Sequence, residues 1–310
     1  MRKKVSMMIL VLALVCASVF AQGTADSSEK GSRTFGYTYW AASDFFETIG
    51  DTISEIVSAN GDSVIIIDAQ QDNQKQLDII DDFIIRGVDA VFLNPVDRDG
   101  ITPALYALQN AGIPVVNIDT SVAQLDLVAS YIASDNYGAG VICAEALNAA
   151  FPEGGKIAIL DYPANSACLD RTEGFLATMN DNFTIVAQFD AEGKPGPGLE
   201  KATDVLIAHP DLVAFFCVND QSGMGAYAAV VAANSQAKVY GVDGAIESKD
   251  VIAEGTQYAG TAAQSPKQMA AKSVEVAYEI LNGEEYETEF FVPTFLIDES
   301  NAKDYLGFWQ

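Results

Sequence analysis

Short apolar runs alternate with longer helical stretches from Thr34 to the end of the chain. The runs are mostly continuous, as in Ile65-Ile-Ile67 and Val115-Val116, which predicts parallel strands that are buried on both faces. The predicted strands are Phe35–Tyr39, Val64–Asp68, Ala90–Asn94, Val115–Ile118, Ile157–Leu160, Ile185–Phe189, Val213–Val218, Val239–Val242 and Tyr258–Ala263.

Between these runs, apolar residues recur at helical spacing, as Leu77, Ile80 and Phe83 do before the stop at Gly87. The predicted helices are Phe46–Ala59, Gln74–Arg86, Ile101–Ala111, Tyr137–Ala150, Arg171–Met179, Leu199–Ala208, Gly223–Ala233 and Lys267–Asn282. Alternating strands and helices over about 270 residues predict an α/β fold with two doubly wound lobes, each built on a parallel sheet.

The charge balance excludes one class of partner. The chain has 310 residues with 43 Asp and Glu against 17 Lys and Arg, a formal net charge of −26. Nucleic-acid binding needs a basic surface to neutralise phosphates, and the sequence offers none. We interpret the acidity as a solvated surface; a saline habitat or a basic partner remains an alternative.

The N-terminus has the pattern of a secretory signal peptide. Basic residues up to Lys4 precede the apolar run Met7–Val19, which is too short to span a bilayer. We predict cleavage after Ala21, a signal peptide over residues 1–21, a disordered leader over residues 22–33 and export to the periplasm. Lipid attachment at Cys16 is the alternative.

Three cysteines remain in the predicted mature chain, at Cys143, Cys168 and Cys217. An odd number at wide spacing predicts buried free thiols, and no pair has metal-ligand spacing. No phosphate-binding loop or nucleophile elbow occurs either, so the sequence predicts no metal and no cofactor. The enzyme hypothesis would depend on Asp119 and Asp243 as an acid–base pair, and it is the less favoured one.

Polar residues follow one predicted strand after another. They are Asp68, Asn94, Asp119, Asp161, Asn219, Asp220 and Asp243. A single residue of this kind often caps the next helix or shapes a turn, which is our interpretation of Asp68 and Asn94. As a set, they predict a ligand cleft, because open parallel sheets bind ligands outside the carboxyl ends of their strands. Arg171 would add a forked donor, although a surface ion pair is an equal alternative.

Aromatic residues gather where the first predicted strand ends, at Tyr39, Trp40, Phe45 and Phe46. Such residues are often core, but four within eight positions favour a contribution to a pocket. Aromatic faces together with carboxylates, amides and an arginine suit a polyhydroxylated ring, which has apolar C–H faces and a polar edge.

The chain resembles the periplasmic ribose/galactose-type sugar-binding proteins of ABC importers over nearly its whole mature length. The matching segments occur in the family's order: Asp44-Phe-Phe46, Asp68-Ala-Gln-Gln71, Ile85-Arg-Gly-Val-Asp-Ala90, Leu93-Asn-Pro95, Gly112-Ile-Pro-Val-Val116, Ile132-Ala-Ser-Asp-Asn136, Arg171-Thr-Glu-Gly-Phe175, Ala208-His-Pro-Asp211, Val218-Asn-Asp220, Gly241-Val-Asp-Gly244 and Ala263-Gln264. Each is weak alone, whereas the ordered set is specific.

The resemblance implies a ligand site made of both lobes. It assigns ring stacking to Phe45 and Phe46, and to these we add Trp40, which has no obvious counterpart in the family. The implied polar contacts come from the charged side chains of Asp119, Arg171 and Asp243 and from the amide side chains of Asn136, Asn219 and Gln264. Thr120 replaces an arginine of the ribose binders, and residues 190–198 lack an aromatic residue that those proteins carry. Pentoses, hexoses, deoxysugars, polyols and inositol therefore all remain candidate ligands.

The resemblance also implies a chain that crosses between the lobes three times, near Ser134, Ser265 and Pro293. The N-terminal lobe is then predicted over 34–134 plus 265–292, and the C-terminal lobe over 135–264 plus 293–310. A monomer that closes on its sugar and docks on a membrane ABC permease is expected. Presentation of the ligand to a chemoreceptor or sensor kinase is the alternative partner hypothesis.

Overall fold

A computed structural model describes residues 31–310. The predicted signal peptide, the Cys16 alternative and nearly all of the predicted leader lie outside the described residues. Across residues 31–310, no helix is both long enough and apolar enough to cross a membrane.

Strands and helices alternate along the described chain. The strands are β1 (Thr34–Tyr39), β2 (Ser63–Asp68), β3 (Ala90–Leu93), β4 (Val115–Ile118), β5 (Ser130–Ser134), β6 (Gly155–Asp161), β7 (Phe183–Asp190), β8 (Leu212–Cys217), β9 (Lys238–Asp243), β10 (Tyr258–Ala263), β11 (Glu289–Val292) and β12 (Phe295–Asp298). The helices are α1 (Asp44–Ala59), α2 (Asn73–Arg86), α3 (Thr102–Ala111), α4 (Asn136–Ala150), α5 (Ser166–Thr178), α6 (Pro195–Ala208), α7 (Asp220–Ala232), α8 (Ile246–Ala253) and α9 (Pro266–Asn282).

Residues 31–310 form two six-stranded sheets. The first has the order β11-β5-β4-β3-β1-β2, and all its pairs are parallel. The second has the order β12-β10-β9-β8-β6-β7 and is parallel except at one edge, where β12 runs antiparallel to β10. The predicted α/β class with two doubly wound lobes is confirmed.

Helices cover both faces of each sheet, so each lobe has a core on both sides. In the first lobe, one cluster joins α1 and α9 to the sheet through Ile49, Phe92 and Met269, and another lies under α2 and α3. In the second lobe, α4 and α5 cover one face and α6 and α7 cover the other. Both lobes therefore bury enough apolar surface to hold their strand ends in fixed positions.

The chain passes between the sheets at three places. It leaves the first sheet after Ser134, returns between Ala263 and Pro266, and leaves again between Val292 and Phe295. The first and third passages are tied together, because the Asp135 amide donates to Val292 O at 2.9 Å. The Thr294 hydroxyl also donates to Asp135 O at 3.4 Å.

The strand pattern placed all nine predicted strands, and Val115–Ile118 and Tyr258–Ala263 agree at both ends. Burial on both faces is confirmed for Val115 and Val116 but is wrong for Ile65–Ile67, because β2 is an edge strand and Ile66 is 38% exposed. The sequence prediction missed β5, β11, β12 and α8, which are short and carry no long apolar run.

Two helices, α5 and α6, begin four or more residues earlier than predicted. Helix α5 starts at Ser166 with Asn165 as its N-cap, before the apolar residues on which the prediction depended. Helix α6 starts at Pro195, because proline fits a first turn where the backbone N–H has no helical partner.

Candidate functional site

The candidate site lies at the carboxyl ends of the parallel strands. Asp119 follows β4, Asp243 ends β9 and Gln264 follows β10, while Asn136 opens α4 after β5 and Asn219 caps α7 after β8. Arg171 projects from α5. Parallel pairing brings these strand ends to one edge of each sheet, which is where α/β folds bind ligands.

Arg171 is the centre of a buried polar network in the second lobe. Its Nε donates to Asn136 Oδ1 at 2.8 Å, and its Nη1 donates to Val218 O at 2.8 Å and to Asp243 Oδ1 at 3.1 Å. Gln264 Nε2 also donates to Asp243 Oδ1, at 2.8 Å. These bonds use Nε and Nη1 of the guanidinium, and Nη2 makes no hydrogen bond among residues 31–310.

The interpretation of Arg171 as a surface ion pair is therefore wrong, since the residue is only 5% exposed. Burial works to lower the pKa of Arg171, but the Asp243 carboxylate opposes it and the net direction is upward. Burial raises the pKa of Asp243, and the positive charge of Arg171 works against that rise. A buried charged pair of this kind is costly unless hydrogen bonds satisfy it, and the Asp243 carboxylate accepts bonds from Arg171, Gln264 and the Asp220 amide.

Asp119 belongs to the first lobe but lies in the electrostatic field of this pair. Burial raises the pKa of Asp119, while the hydrogen bond from Thr120 Oγ1 and the charge of Arg171 lower it. Asn94 Nδ2 also reaches Asp119 Oδ2, at 3.4 Å. Asp119 of the first lobe therefore interacts electrostatically with Arg171 and Asp243 of the second lobe.

Both site aspartates have unusual backbone conformations. Asp119 has a φ of 65° and Asp243 a φ of 135°, in the region that side-chain-bearing residues rarely adopt. Such strain is retained where the surrounding structure enforces it, and it is frequent at ligand sites. These backbone conformations set the direction in which each carboxylate leaves the end of its strand.

A buried residue adjacent to the network holds Asp243 in place. The Asp220 amide donates to Asp243 Oδ2 at 3.3 Å. The Asp220 carboxylate accepts from Tyr258 Oη at 2.7 Å, from the Ala245 amide at 2.8 Å and from Ser248 Oγ. Asp220 is fully buried and therefore supports the site from behind.

Asn219 stands apart from this network. Its Oδ1 accepts from the Ser222 amide at 3.1 Å as the N-cap of α7, and its Nδ2 donates to Gly193 O at 2.9 Å. The residue is half-buried. Its side chain thus fixes the start of α7 and the loop before α6, and its hydrogen bonds do not include Arg171 or Asp243.

The aromatic residues form a chain rather than a pair of parallel plates. Phe46 is 6% exposed, lies parallel to Tyr39 at 6.0 Å and belongs to the first-lobe core. Phe45 meets it edge-on at 5.2 Å, and Trp40 does so at 6.5 Å. Trp40 is 39% exposed and Phe45 is half-buried, so these two have more surface for a ligand than Phe46 has.

Sequence reasoning missed two contributors. Asn94, interpreted as a turn residue, is fully buried; it donates to Ile118 O and accepts from the Trp40 amide, so it joins β1, β3 and β4 beside Asp119. Trp309 packs edge-on against Phe45, with ring centroids 5.4 Å apart. A terminal aromatic residue carries no pattern from which this contact could be predicted.

Cys143, Cys168 and Cys217 are free and buried, as predicted, and burial raises the pKa of Cys143 to about 12 and of Cys168 to about 11. An open depression of about 470 Å³ lies far from the site, between the ends of α3 and α9 and the start of β4, and has no charged side chain in its lining.

The sequence matches a family model described as the periplasmic binding protein domain over residues 35–285. A ribose import binding protein from Bacillus subtilis is 31% identical over 302 residues, covering 94% of this chain and 98% of that protein. Its counterpart from Escherichia coli is 30% identical and covers 92% of this chain and 97% of its own length.

Solved structures of similar proteins share the fold. An ABC transporter solute-binding protein from Mycobacterium smegmatis with bound glycerol has a TM-score of 0.80 and 32% identity, covering 90% of this chain and all of the other. One from Bacillus halodurans with bound myo-inositol has a TM-score of 0.81 and 26% identity, covering 90% of this chain and 99% of the other.

Proposed function

The chain belongs to the periplasmic binding protein family, and on that premise we propose that it captures a sugar or polyol in the cleft between its lobes for an ABC importer. The observation that carries the proposal is the placement of Asp119 from one lobe opposite the Arg171–Asp243 pair of the other. Groups on both lobes can contact one ligand only when the lobes are together. Binding therefore favours the closed form.

The chemistry of the site fits a neutral polyhydroxylated ligand. Carboxylates accept from hydroxyl groups, and the free Nη2 of Arg171 donates to a ring or hydroxyl oxygen. Gln264 adds a buried Oε1 with no hydrogen-bond partner among residues 31–310. Trp40, Phe45 and Phe46 offer aromatic faces for the C–H side of a sugar. Asn136 orients Arg171, and Asn219 fixes the rim of the cleft.

The relatives are named for capture and not for catalysis, and this chain is proposed to bind its ligand without chemical change. Their family implies export to the periplasm. The finer proposals are cleavage after Ala21 and docking of the closed monomer on a membrane permease. The signalling alternative uses the same capture step and differs only in the chemoreceptor or sensor kinase that would recognise the closed form.

The first test is a thermal-shift screen of residues 22–310 against pentoses, hexoses, deoxysugars and polyols, including D-ribose, myo-inositol and glycerol. The protein is first unfolded and refolded to remove co-purified ligand. A ligand at 100 times its Kd should stabilise the fold by about 2.7 kcal/mol. Calorimetry then gives the stoichiometry, which we expect to be one.

The control for the screen is a pair of aspartate variants. Asp243→Ala should abolish the shift without unfolding the protein, because it removes the acceptor that Arg171 and Gln264 share. Asp204→Ala, at an exposed position on α6, should leave it intact. A folded wild-type protein that responds to no sugar or polyol would refute the proposal.

A further inference from the structure

The last three residues, Phe308, Trp309 and Gln310, are held against the second lobe by hydrogen bonds. Lys249 Nζ donates to Phe308 O at 2.6 Å and to Gln310 Oε1 at 3.1 Å. Gln310 Nε2 donates to Gln264 O at 2.7 Å. Because Lys249 is fully buried on α8, these bonds hold the end of the chain in a defined position instead of leaving it free in solvent.

This anchoring places Trp309 between the lobes. Its neighbour Gln310 bonds to Gln264, whose side chain contacts Asp243 in the polar network. On the other side, the Trp309 ring meets Phe45 of the first lobe at an interplanar angle of 79°. Trp309 therefore joins the aromatic residues of one lobe to the polar network of the other.

The indole of Trp309 has an unused donor. The residue is 8% exposed, and its Nε1 is buried with no hydrogen-bond partner among residues 31–310. A second buried atom without a partner is the acceptor Oε1 of Gln264, the residue whose backbone oxygen accepts a hydrogen bond from Gln310. Buried polar groups without partners are rare and costly in native proteins, so an unsatisfied donor and an unsatisfied acceptor on residues joined through Gln310 favour a polar ligand.

We propose that Trp309 is a ligand-contacting and specificity-determining residue, whose indole N–H donates to a hydroxyl oxygen of the bound sugar or polyol while its ring closes the cleft against Phe45. This proposal rests on the proposed function and adds a residue to the site. Hydroxyl groups both donate and accept, so a single sugar hydroxyl can satisfy the indole donor, and another can satisfy the Gln264 acceptor.

The test separates the donor from the ring. Trp309→Phe keeps an aromatic ring against Phe45 and removes the N–H, so its affinity for D-ribose, D-allose or myo-inositol, measured by calorimetry, should fall about two- to tenfold. Trp309→Ala removes the ring as well and should weaken binding about thirtyfold or more. Tyr106→Ala is the control, because that aromatic side chain is 48% exposed on α3 and takes no part in the proposed site or in the bonds to Lys249; its affinity should be unchanged.

Deoxy analogues identify the hydroxyl concerned. The wild-type protein should lose affinity for the one analogue that lacks the acceptor of Trp309, and Trp309→Phe should bind that analogue and the parent sugar nearly equally. If the wild-type protein and Trp309→Phe lost affinity for the analogue to the same extent, the proposed hydrogen bond from Trp309 would be refuted. If Trp309→Ala does not fold, the comparison between the wild-type protein and Trp309→Phe still tests the hydrogen bond.

A spectroscopic readout complements affinity. The sequence has two tryptophans, so Trp40→Phe leaves Trp309 as the reporter, and ligand should change its emission. Unchanged emission on saturation, or unaltered affinity in Trp309→Phe, overturns this proposal alone. If the wild-type protein binds none of the sugars or polyols, the proposed function fails and the role of Trp309 fails with it.

Discussion

At the scale of single residues, the forked shape of Arg171 is the decisive property of the site. Its Nε and Nη1 bond to three groups that come from three different elements, namely Asn136, Val218 and Asp243. A point charge cannot match these directions simultaneously, because only a guanidinium presents several donors in a fixed plane. The residue therefore organises the polar network, and in the proposed function its Nη2 is the atom that contacts the ligand.

Arg171→Lys tests this role of the guanidinium. We expect the variant to fold and its ligand affinity to fall about tenfold or more, since charge-assisted hydrogen bonds are lost at a buried site. Calorimetry measures the change. Arg86→Lys is the control, because Arg86 forms an exposed pair with Asp82 within α2 and should affect neither affinity nor fold. Full affinity in Arg171→Lys would show that only the charge is needed.

The buried carboxyl of Asp220 gives a prediction about pH. Burial, followed by the nearby Asp243 charge, raises the pKa of Asp220 above its ordinary value of 3.8. The folded protein then holds this proton to a higher pH than the unfolded chain does. The stabilising contribution of Asp220 is therefore largest at low pH, and it is lost as pH rises from the ordinary carboxyl range through the raised folded pKa.

Asp220→Asn removes this titration. The free energy of unfolding of the variant minus that of the wild type should increase between pH 4 and pH 8, whatever the constant cost of the altered hydrogen bonds. Denaturant unfolding at several pH values measures it. Asp211→Asn should give the opposite sign, because the hydrogen bond from Lys156 lowers the pKa of Asp211, and its effect should occur only in the acid range at and below the ordinary value of 3.8. A flat difference for Asp220→Asn would contradict the raised pKa.

At the scale of elements, helix contacts through glycine position the polar network. Helices α4 and α5 carry Asn136 and Arg171, and they approach so closely that a Cβ at Gly140 would lie 1.9 Å from Arg171 O. On the opposite side, a Cβ at Gly174 would lie 2.1 Å from Tyr137 O. The bond from Arg171 to Asn136 depends on this close approach.

Gly140→Ala should therefore force α4 and α5 apart. We expect a loss of stability of about 2 kcal/mol or more, as in overpacked cores, together with weaker ligand binding because Arg171 moves with α5. Gly196→Ala is the matched control: it is also a helical glycine, but a Cβ there meets nothing within 4 Å. Thermal unfolding measures the stability of both variants, and calorimetry measures their ligand affinity. Wild-type behaviour in Gly140→Ala would mean that the helices separate without cost.

The sequence predicted the elements that carry their own pattern. Nine strands, eight helices and the alternation of the two follow from runs such as Val115–Ile118 and from stops such as Gly87. Strand β5 could not be predicted because Ser130 and Ser134 frame a short apolar centre, and α8 could not because Glu247, Lys249 and Asp250 interrupt any apolar face. Long-range pairing, and not local pattern, makes these segments regular.

The site was predictable to the extent that it follows strand ends. Asp119 and Asp243 lie at the strand ends where the alternation placed them, whereas Gln264 was implied only by the family resemblance. The structure joins Arg171, Asn136, Asp243 and Gln264 in one network. The burial of Phe46 in the core was not distinguishable from a stacking role in the sequence. Trp309 reaches the cleft only through tertiary bonds to Lys249 and Gln264, which no spacing along the chain encodes.

At the scale of the whole molecule, closure should be measurable as a change in size. If ligand holds Asp119 of one lobe and Asp243 of the other together, the radius of gyration from small-angle X-ray scattering should decrease on adding a ligand found in the screen. Asp243→Ala should show no decrease at the same ligand concentration. A wild-type radius that does not change on saturation would mean that the free protein is already closed.

The three passages of the chain between the sheets also determine the order in which the two lobes can complete their folds. The first lobe has five of its strands by Ser134, but its edge strand β11 and its helix α9 come only after residue 265. The second lobe is completed later still, by β12. As the ribosome delivers the chain from its N-terminus, neither lobe can finish its sheet until β11 and β12 have been synthesised. Before that point both lobes lack an edge strand, and an incompletely folded chain is the state that a narrow secretion channel can thread.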